Sequence, residues 1–113
     1  MILYHTTSRD VATKIMHSGK FIRGTGGMCG GGIYFATTVS NTLHKEQSSA
    51  TFKSVLEVRV LLGKVKTVSA TGDRSITFAS LQKEGYDSVL MPRANGDEYI
   101  VYNSDQATPI KVM

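Results

Sequence analysis

The stretch GGMCGGGIYFATT, residues 26–38, decides how the rest of the chain reads. Five of its first seven residues are glycine, and the chain then turns into Ile33-Tyr34-Phe35-Ala36. Glycine loses more conformational freedom on folding than any other residue. A loop this rich in it persists only where the backbone needs unusual dihedrals or where something must approach it closely. The apolar run behind it reads as a buried strand. The dinucleotide pattern G-x-G-x-x-G lies between a strand and a helix, whereas this loop runs into a strand. Neither GKT nor GKS occurs, so a Walker phosphate loop is excluded.

Upstream, Ile2 to His5 reads as a short strand. A helix follows, capped by Ser8, with Asp10 at its positive end, an apolar stripe of Val11, Ile15 and Met16, and Gly19 as its stop. Phe21 to Arg23 reads as a further short strand. Downstream, Ser40 to about Gln47 has a helical pattern with Leu43 inward. Ser54 to Leu62 alternates, with Leu56, Val58, Val60 and Leu62 forming a wholly apolar face. Val65 to Val68 extends the sheet, and Ile76 to Glu84 is a helix capped by Thr77 and closed by Gly85. Tyr86 to Met91 and Glu98 to Tyr102 form a hairpin around Ala94-Asn95-Gly96. A last strand spans Thr108 to Val112. The expected class is α+β, mainly antiparallel, with two or three short helices.

At 113 residues the chain is expected to be one domain, residues 1–113. Its apolar fraction of 41% and charged fraction of 19% are those of an ordinary globular protein. No apolar run approaches the ~20 residues of a membrane span. The opening MILYHTTSRD lacks the basic and apolar regions of a secretory signal. Cys29 is the single cysteine, which excludes an internal disulfide and fits a reducing cytoplasmic or nuclear compartment. The net charge of +4 is spread over thirteen Lys and Arg without a run of four. A solvated, mildly basic surface accounts for it, and a nucleic-acid partner is permitted but not demanded.

His5, His17 and His44 have no metal-binding spacing and no acidic cluster beside them, so no metal is expected. His17 suits the negative end of the first helix. No nucleophile elbow is present. Taken singly, Tyr34 reads as a core aromatic, His5 as an edge-strand residue and Glu98 as a solvated turn residue.

Taken in order, three blocks carry more. Tyr4-His5-Thr6-Thr7, Gly26 to Ala36, and Asp97-Glu98-Tyr99-Ile100-Val101-Tyr102 resemble the signature blocks of the poly(ADP-ribose) polymerase family. That family is the His-Tyr-Glu branch of the ADP-ribosyltransferases, and the glycine block is most similar to the tankyrase version. The resemblance runs from residue 3 to the end. It implies a split antiparallel sheet that binds NAD⁺ as co-substrate, expels nicotinamide and passes ADP-ribose to a protein or nucleic-acid acceptor.

The resemblance also implies roles. His5 would hydrogen-bond the adenosine ribose, Tyr34 would stack on nicotinamide, and Gly32 would let backbone crowd the dinucleotide. Thr6, where the family usually has glycine, would offer backbone groups to the carboxamide. Thr42 stands where the family commonly has a serine that bonds the carboxamide. Lys45 stands where a second stacking aromatic is frequent, leaving the neighbouring His44 or a shifted register to close the sandwich. Apart from the resemblance, the position of Arg23 just before the glycine loop suggests a contact with the NAD⁺ pyrophosphate. Glu98 would stabilise the oxocarbenium character that develops on the ribose and polarise the acceptor.

The expected activity is transfer of one ADP-ribose per acceptor, since about fifteen residues separate Ala36 from the next strand, no helical regulatory domain precedes the fold, and little surface is left to grip a growing polymer. A monomer is expected. An NAD⁺ glycohydrolase, a catalytically silent NAD⁺ or ADP-ribose binding module, and the related RNA 2′-phosphotransferase are the alternatives, in that order.

Overall fold

The first strand, β1 (Ile2–Ser8), passes directly into helix α1 (Arg9–Ser18). The switch is local chemistry. The Ser8 hydroxyl accepts the Val11 N–H at 3.2 Å, and Gly19 closes the helix at φ 74° by donating its N–H to the Ile15 carbonyl. The buried face of α1 is Ala12 and Ile15 with Met16 beside them, while Val11 is exposed and stands outside the expected stripe. These features belong to a computed structural model that describes residues 1–24, 26–40 and 53–113. The expected helix from Ser40 to Gln47 lies, beyond its first residue, outside the described residues.

The remaining elements are β2 (Ile33–Ala36), β3 (Lys53–Val60), β4 (Val65–Thr67), α2 (Phe78–Lys83), β5 (Ser88–Met91), β6 (Glu98–Val101), a 3₁₀ turn at Ser104–Gln106, and β7 (Ala107–Val112). They form an α+β fold with a seven-stranded sheet in the order β4-β5-β6-β2-β1-β3-β7. All its pairings are antiparallel except β4 with β5, which run parallel. Phe21 to Arg23, expected as a strand, is irregular. Its backbone is held by separate bonds, Phe21 N–H to Ser104 Oγ at 2.8 Å and Gly24 N–H to the Gly32 carbonyl at 3.1 Å, and not by a ladder.

The sheet is two half-sheets joined at a seam. β1 and β3 share seven registered pairs, from Ile2 with Arg59 to Ser8 with Lys53, and β2 and β6 share four, from Ile33 with Val101 to Ala36 with Glu98. Between β1 and β2 there is one, Tyr4 with Ala36.

Successive residues of a strand face opposite sides, and β2 and β6 divide the core accordingly. Ile33, Phe35 and Val101 join Leu3, Ile15, Leu56, Val58 and Val60 in the cluster under α1. Ile100 and Tyr102, with Tyr34 against them, join Cys29, Leu81, Val89 and Met91 in the cluster under α2. In β3 the expected apolar face is buried through Val60 with Leu62 packed at its edge, and Val55 on the opposite face is buried as well. Helix α2 is shorter than expected. A reciprocal cap between Thr77 and Ser80 starts it after Ile76, which is itself buried in the loop.

Candidate functional site

A cleft of about 560 Å³ opens beside the seam. His5 enters it from β1, Tyr34 from β2 and Glu98 from the first position of β6. The turn between β5 and β6 adds Arg93 and Asn95, and the glycine segment adds Gly24, Gly26, Gly27, Met28 and Gly32. Three residues far apart in sequence thus meet because their strands are neighbours in the sheet order.

His5 spans the seam. Its Nδ1 lies 2.8 Å from the backbone carbonyl of Tyr34. A carbonyl only accepts, so Nδ1 carries the proton and Nε2 is the acceptor nitrogen of the neutral ring. The ring is wedged between Phe21 and Phe35, centroids 5.6 and 5.5 Å away. The side chain therefore supplies a cross-strand bond where the backbone ladder has opened.

Tyr34 has its ring on the cleft and its hydroxyl in the protein. The hydroxyl accepts the Cys29 N–H at 2.8 Å and donates to the Gly30 carbonyl at 2.7 Å. From the other side Tyr102 donates its hydroxyl to the Cys29 carbonyl. The peptide groups of the loop are thus gripped by two tyrosines, which turns a glycine-rich segment into a fixed wall. Desolvation pushes both phenols above their ordinary range, Tyr102 most strongly. Burial also raises the Cys29 thiol, whose sulfur lies 3.8 Å from that of Met91, so it is a packing residue and a poor nucleophile.

The loop's glycines serve two purposes. A Cβ on Gly30, which has φ 75°, would run into the Ile76 carbonyl, and one on Gly32 would meet the Ile100 and Tyr102 side chains and the Val101 carbonyl. These two positions are required by protein packed on protein. At Gly26, which lines the cleft, nothing lies within 4 Å of a Cβ.

Glu98 is registered between Met91 of β5 and Ala36 of β2, so its backbone is fixed on both sides. Its side chain is 15% exposed, and its Oε2 lies 3.6 Å from Arg93 Nη1. Arg93 was not among the residues singled out from sequence. The signal for it is the hairpin itself: a turn beginning at Pro92 must fold its first residues back beside the residue that opens the return strand.

Of the other expected site residues, Gly32 lines the cleft. Thr6 is buried in β1 opposite Val55 and does not line it. Arg23 faces a separate groove, with Ile76, Thr77 and Phe78 across the glycine segment from the cleft. Thr42 and His44 lie outside the described residues. Among the described residues no three of His, Cys, Asp and Glu gather as metal ligands would, and no helix is long and apolar enough to cross a membrane.

Fold and site together define an α+β fold with a cleft of mixed polar and apolar lining beside the seam of a split sheet, closed on one side by a clamped glycine loop. No protein-family model matches the chain, and no curated protein matches its sequence.

Proposed function

We propose that the protein is an NAD⁺-dependent ADP-ribosyltransferase that transfers one ADP-ribose per acceptor and releases nicotinamide. The observation that carries the reading is the convergence of His5, Tyr34 and Glu98 on one cleft from three strands. Each then has a task suited to its chemistry. The flat ring of Tyr34 offers a stacking surface for nicotinamide, its orientation held by the two hydrogen bonds of its hydroxyl. The acceptor nitrogen of His5 suits a ribose hydroxyl. A carboxylate such as Glu98 is suited to stabilise the positive charge that grows on the nicotinamide ribose. Nicotinamide leaves as a neutral molecule, so the step needs no general acid. Gly26 and Gly24 leave room for a dinucleotide to lie along the loop.

The test is nicotinamide release from NAD⁺ by the purified chain beside its Glu98→Gln variant, with and without protein and nucleic-acid acceptors. Glutamine keeps the shape and removes the charge. Loss of a well-placed electrostatic stabiliser lowers turnover by about 10²–10³-fold, and equal turnover in the two proteins would sink the reading. Acceptor-independent release would identify a glycohydrolase instead. Long polymer ladders on a gel would overturn single-unit transfer.

One observation favours a second reading, a binding module that keeps the pocket without the chemistry. Arg93 places a positive charge 3.6 Å from Glu98 and so offsets the field the carboxylate would exert on the ribose. Tight NAD⁺ binding without nicotinamide release under any condition would establish it.

A further inference from the structure

The groove that Arg23 faces measures about 550 Å³, and the chemistry of the cleft makes no use of it. Its lining combines the apolar side chains of Ile22, Ile76 and Phe78 with one cation, Arg23, and no acid. It shares Ile22 and Gly24 with the cleft, so the two concavities adjoin. The segment that carries Ile22 and Arg23 is irregular but pinned at both ends, by Phe21 N–H on Ser104 Oγ and by Gly24 N–H on the Gly32 carbonyl. Ile22 is nevertheless 93% exposed. A lone exposed aliphatic side chain is ordinary; this one is held at the rim of a concavity lined by two more apolar residues. Arg23 beside it is exposed, and among the described residues it has no hydrogen-bond or ion-pair partner.

The geometry points to this groove as the docking site for an extended peptide segment of a partner protein, one that carries an apolar side chain next to a glutamate or aspartate. The apolar side chain lies against Ile22 and Phe78, and the carboxylate takes the guanidinium fork of Arg23. That fork presents its N–H donors in the spacing of two carboxylate oxygens. Docking thus covers the bare isoleucine and gives the arginine an anion that the described part of the chain does not supply. Both residues are held in position before the partner arrives, so less ordering entropy opposes binding. An arginine beside an aromatic anchor is also the pairing on which interface energies concentrate.

Charge selects this occupant over others. A nucleic acid carries a phosphate at every unit and calls for a row of cations, whereas here one arginine stands among apolar side chains. A basic segment meets Arg23, and the chain's net charge of +4, with charge of the same sign. The groove includes none of His5, Tyr34 and Glu98. Docking therefore goes beyond the transferase reading and does not depend on it: the partner binds whether or not nicotinamide is released. Because Ile22 and Gly24 belong to both concavities, the docked segment lies alongside the cleft.

The experiment follows backbone amide shifts of the isotope-labelled full chain by NMR as short glycine-serine peptides are added into the millimolar range. Each peptide carries one central pair: leucine-glutamate, leucine-glutamine, leucine-lysine or alanine-glutamate. The leucine-glutamate peptide is expected to move the amides of Ile22, Arg23 and Thr77 more than those of Tyr34 and Glu98. Glutamine in place of glutamate weakens binding by about tenfold or more, the value of one hydrogen bond to a charged group. Alanine in place of leucine weakens it by about as much, through lost apolar burial. Arg23→Glu changes an exposed side chain and leaves the fold intact; it turns the preference from the glutamate peptide to the lysine peptide. Ile22→Ser, equally exposed, weakens the leucine-glutamate peptide but not the alanine-glutamate one. Absence of shifts with every peptide, shifts centred on another surface, or a glutamate preference that survives Arg23→Glu overturns the docking site. None of these results touches the transferase reading, which nicotinamide release by the wild type decides separately.

Discussion

The His5 side chain bonds the Tyr34 carbonyl at 2.8 Å across the seam where β1 and β2 share a single registered pair. That bond and the packing of the ring on Phe21 and Phe35 give His5 a structural task alongside its place in the cleft. His5→Ala removes the donor, leaves a half-buried carbonyl without its partner and opens space between two phenylalanines. The expected loss is about 1–3 kcal/mol in urea denaturation. Under the transferase reading it is joined by weaker binding of ADP-ribose by calorimetry. A variant as stable as the wild type would show that the half-sheets are held together by the backbone pair alone.

Tyr34 allows ring and hydroxyl to be separated. Tyr34→Phe keeps the cleft face and removes the oxygen that serves both Cys29 and Gly30. Leaving a donor and an acceptor unpaired inside the loop costs about 1–3 kcal/mol per group when no water replaces the lost partner. Thermal or urea unfolding should show this as a clear loss. Nicotinamide or NAD⁺ affinity should change little in the same variant and fall sharply in Tyr34→Leu, which loses the flat ring. A Tyr34→Phe protein of unchanged stability would show that the loop keeps its shape without the clamp.

Much of the fold was legible because its signals are local. Ser8 and Gly19 mark the ends of α1 whatever surrounds them, and the alternation of Leu56, Val58 and Val60 puts β3 against the core in any sheet. The hairpin from Ser88 to Val101 follows from two strand patterns around an Asn-Gly turn. What escaped depends on distant partners. Val65–Thr67 pairs parallel with β5 through a crossover that includes α2, and nothing within those three residues specifies the direction. Phe21 to Arg23 has a strand's composition, but its backbone finds Ser104 and Gly32 in place of a neighbouring strand. In the cleft, His5, Tyr34 and Glu98 were accessible as a pattern. Arg93 was not, because a turn's side chains are placed by the register of the strands it joins.

Alkaline pH should destabilise the protein through three acids that folding keeps protonated. Desolvation raises Cys29, Tyr34 and Tyr102 above their ordinary values of 9.0, 10.0 and 10.0. Each therefore favours the folded state fully below its unfolded value, and its contribution is lost as pH rises toward the folded one. Between those limits the unfolded chain binds fewer protons than the folded chain, so the stability slope is negative. Stability measured from pH 8 to 11 should begin to fall near pH 9 and steepen above 10. Tyr102→Phe should start lower, having left the Cys29 carbonyl unpaired, but decline less steeply. Equal slopes in the two proteins would mean that the Tyr102 hydroxyl titrates alike folded and unfolded.

The glycine loop admits a test that separates its two purposes. Gly30→Ala places a side chain in left-handed backbone and against the Ile76 carbonyl, which cannot retreat without moving the residue that precedes α2. A loss above about 2 kcal/mol is expected, since strain and steric conflict add. Gly26→Ala meets nothing within 4 Å, so its stability should stay within about 0.5 kcal/mol of wild type. Gly26 lines the cleft, so the expected effect of the added methyl is on ligand affinity alone. If Gly26→Ala binds NAD⁺ as the wild type does, the dinucleotide does not lie along this part of the loop, and the glycines near residue 26 answer only to the path of the chain.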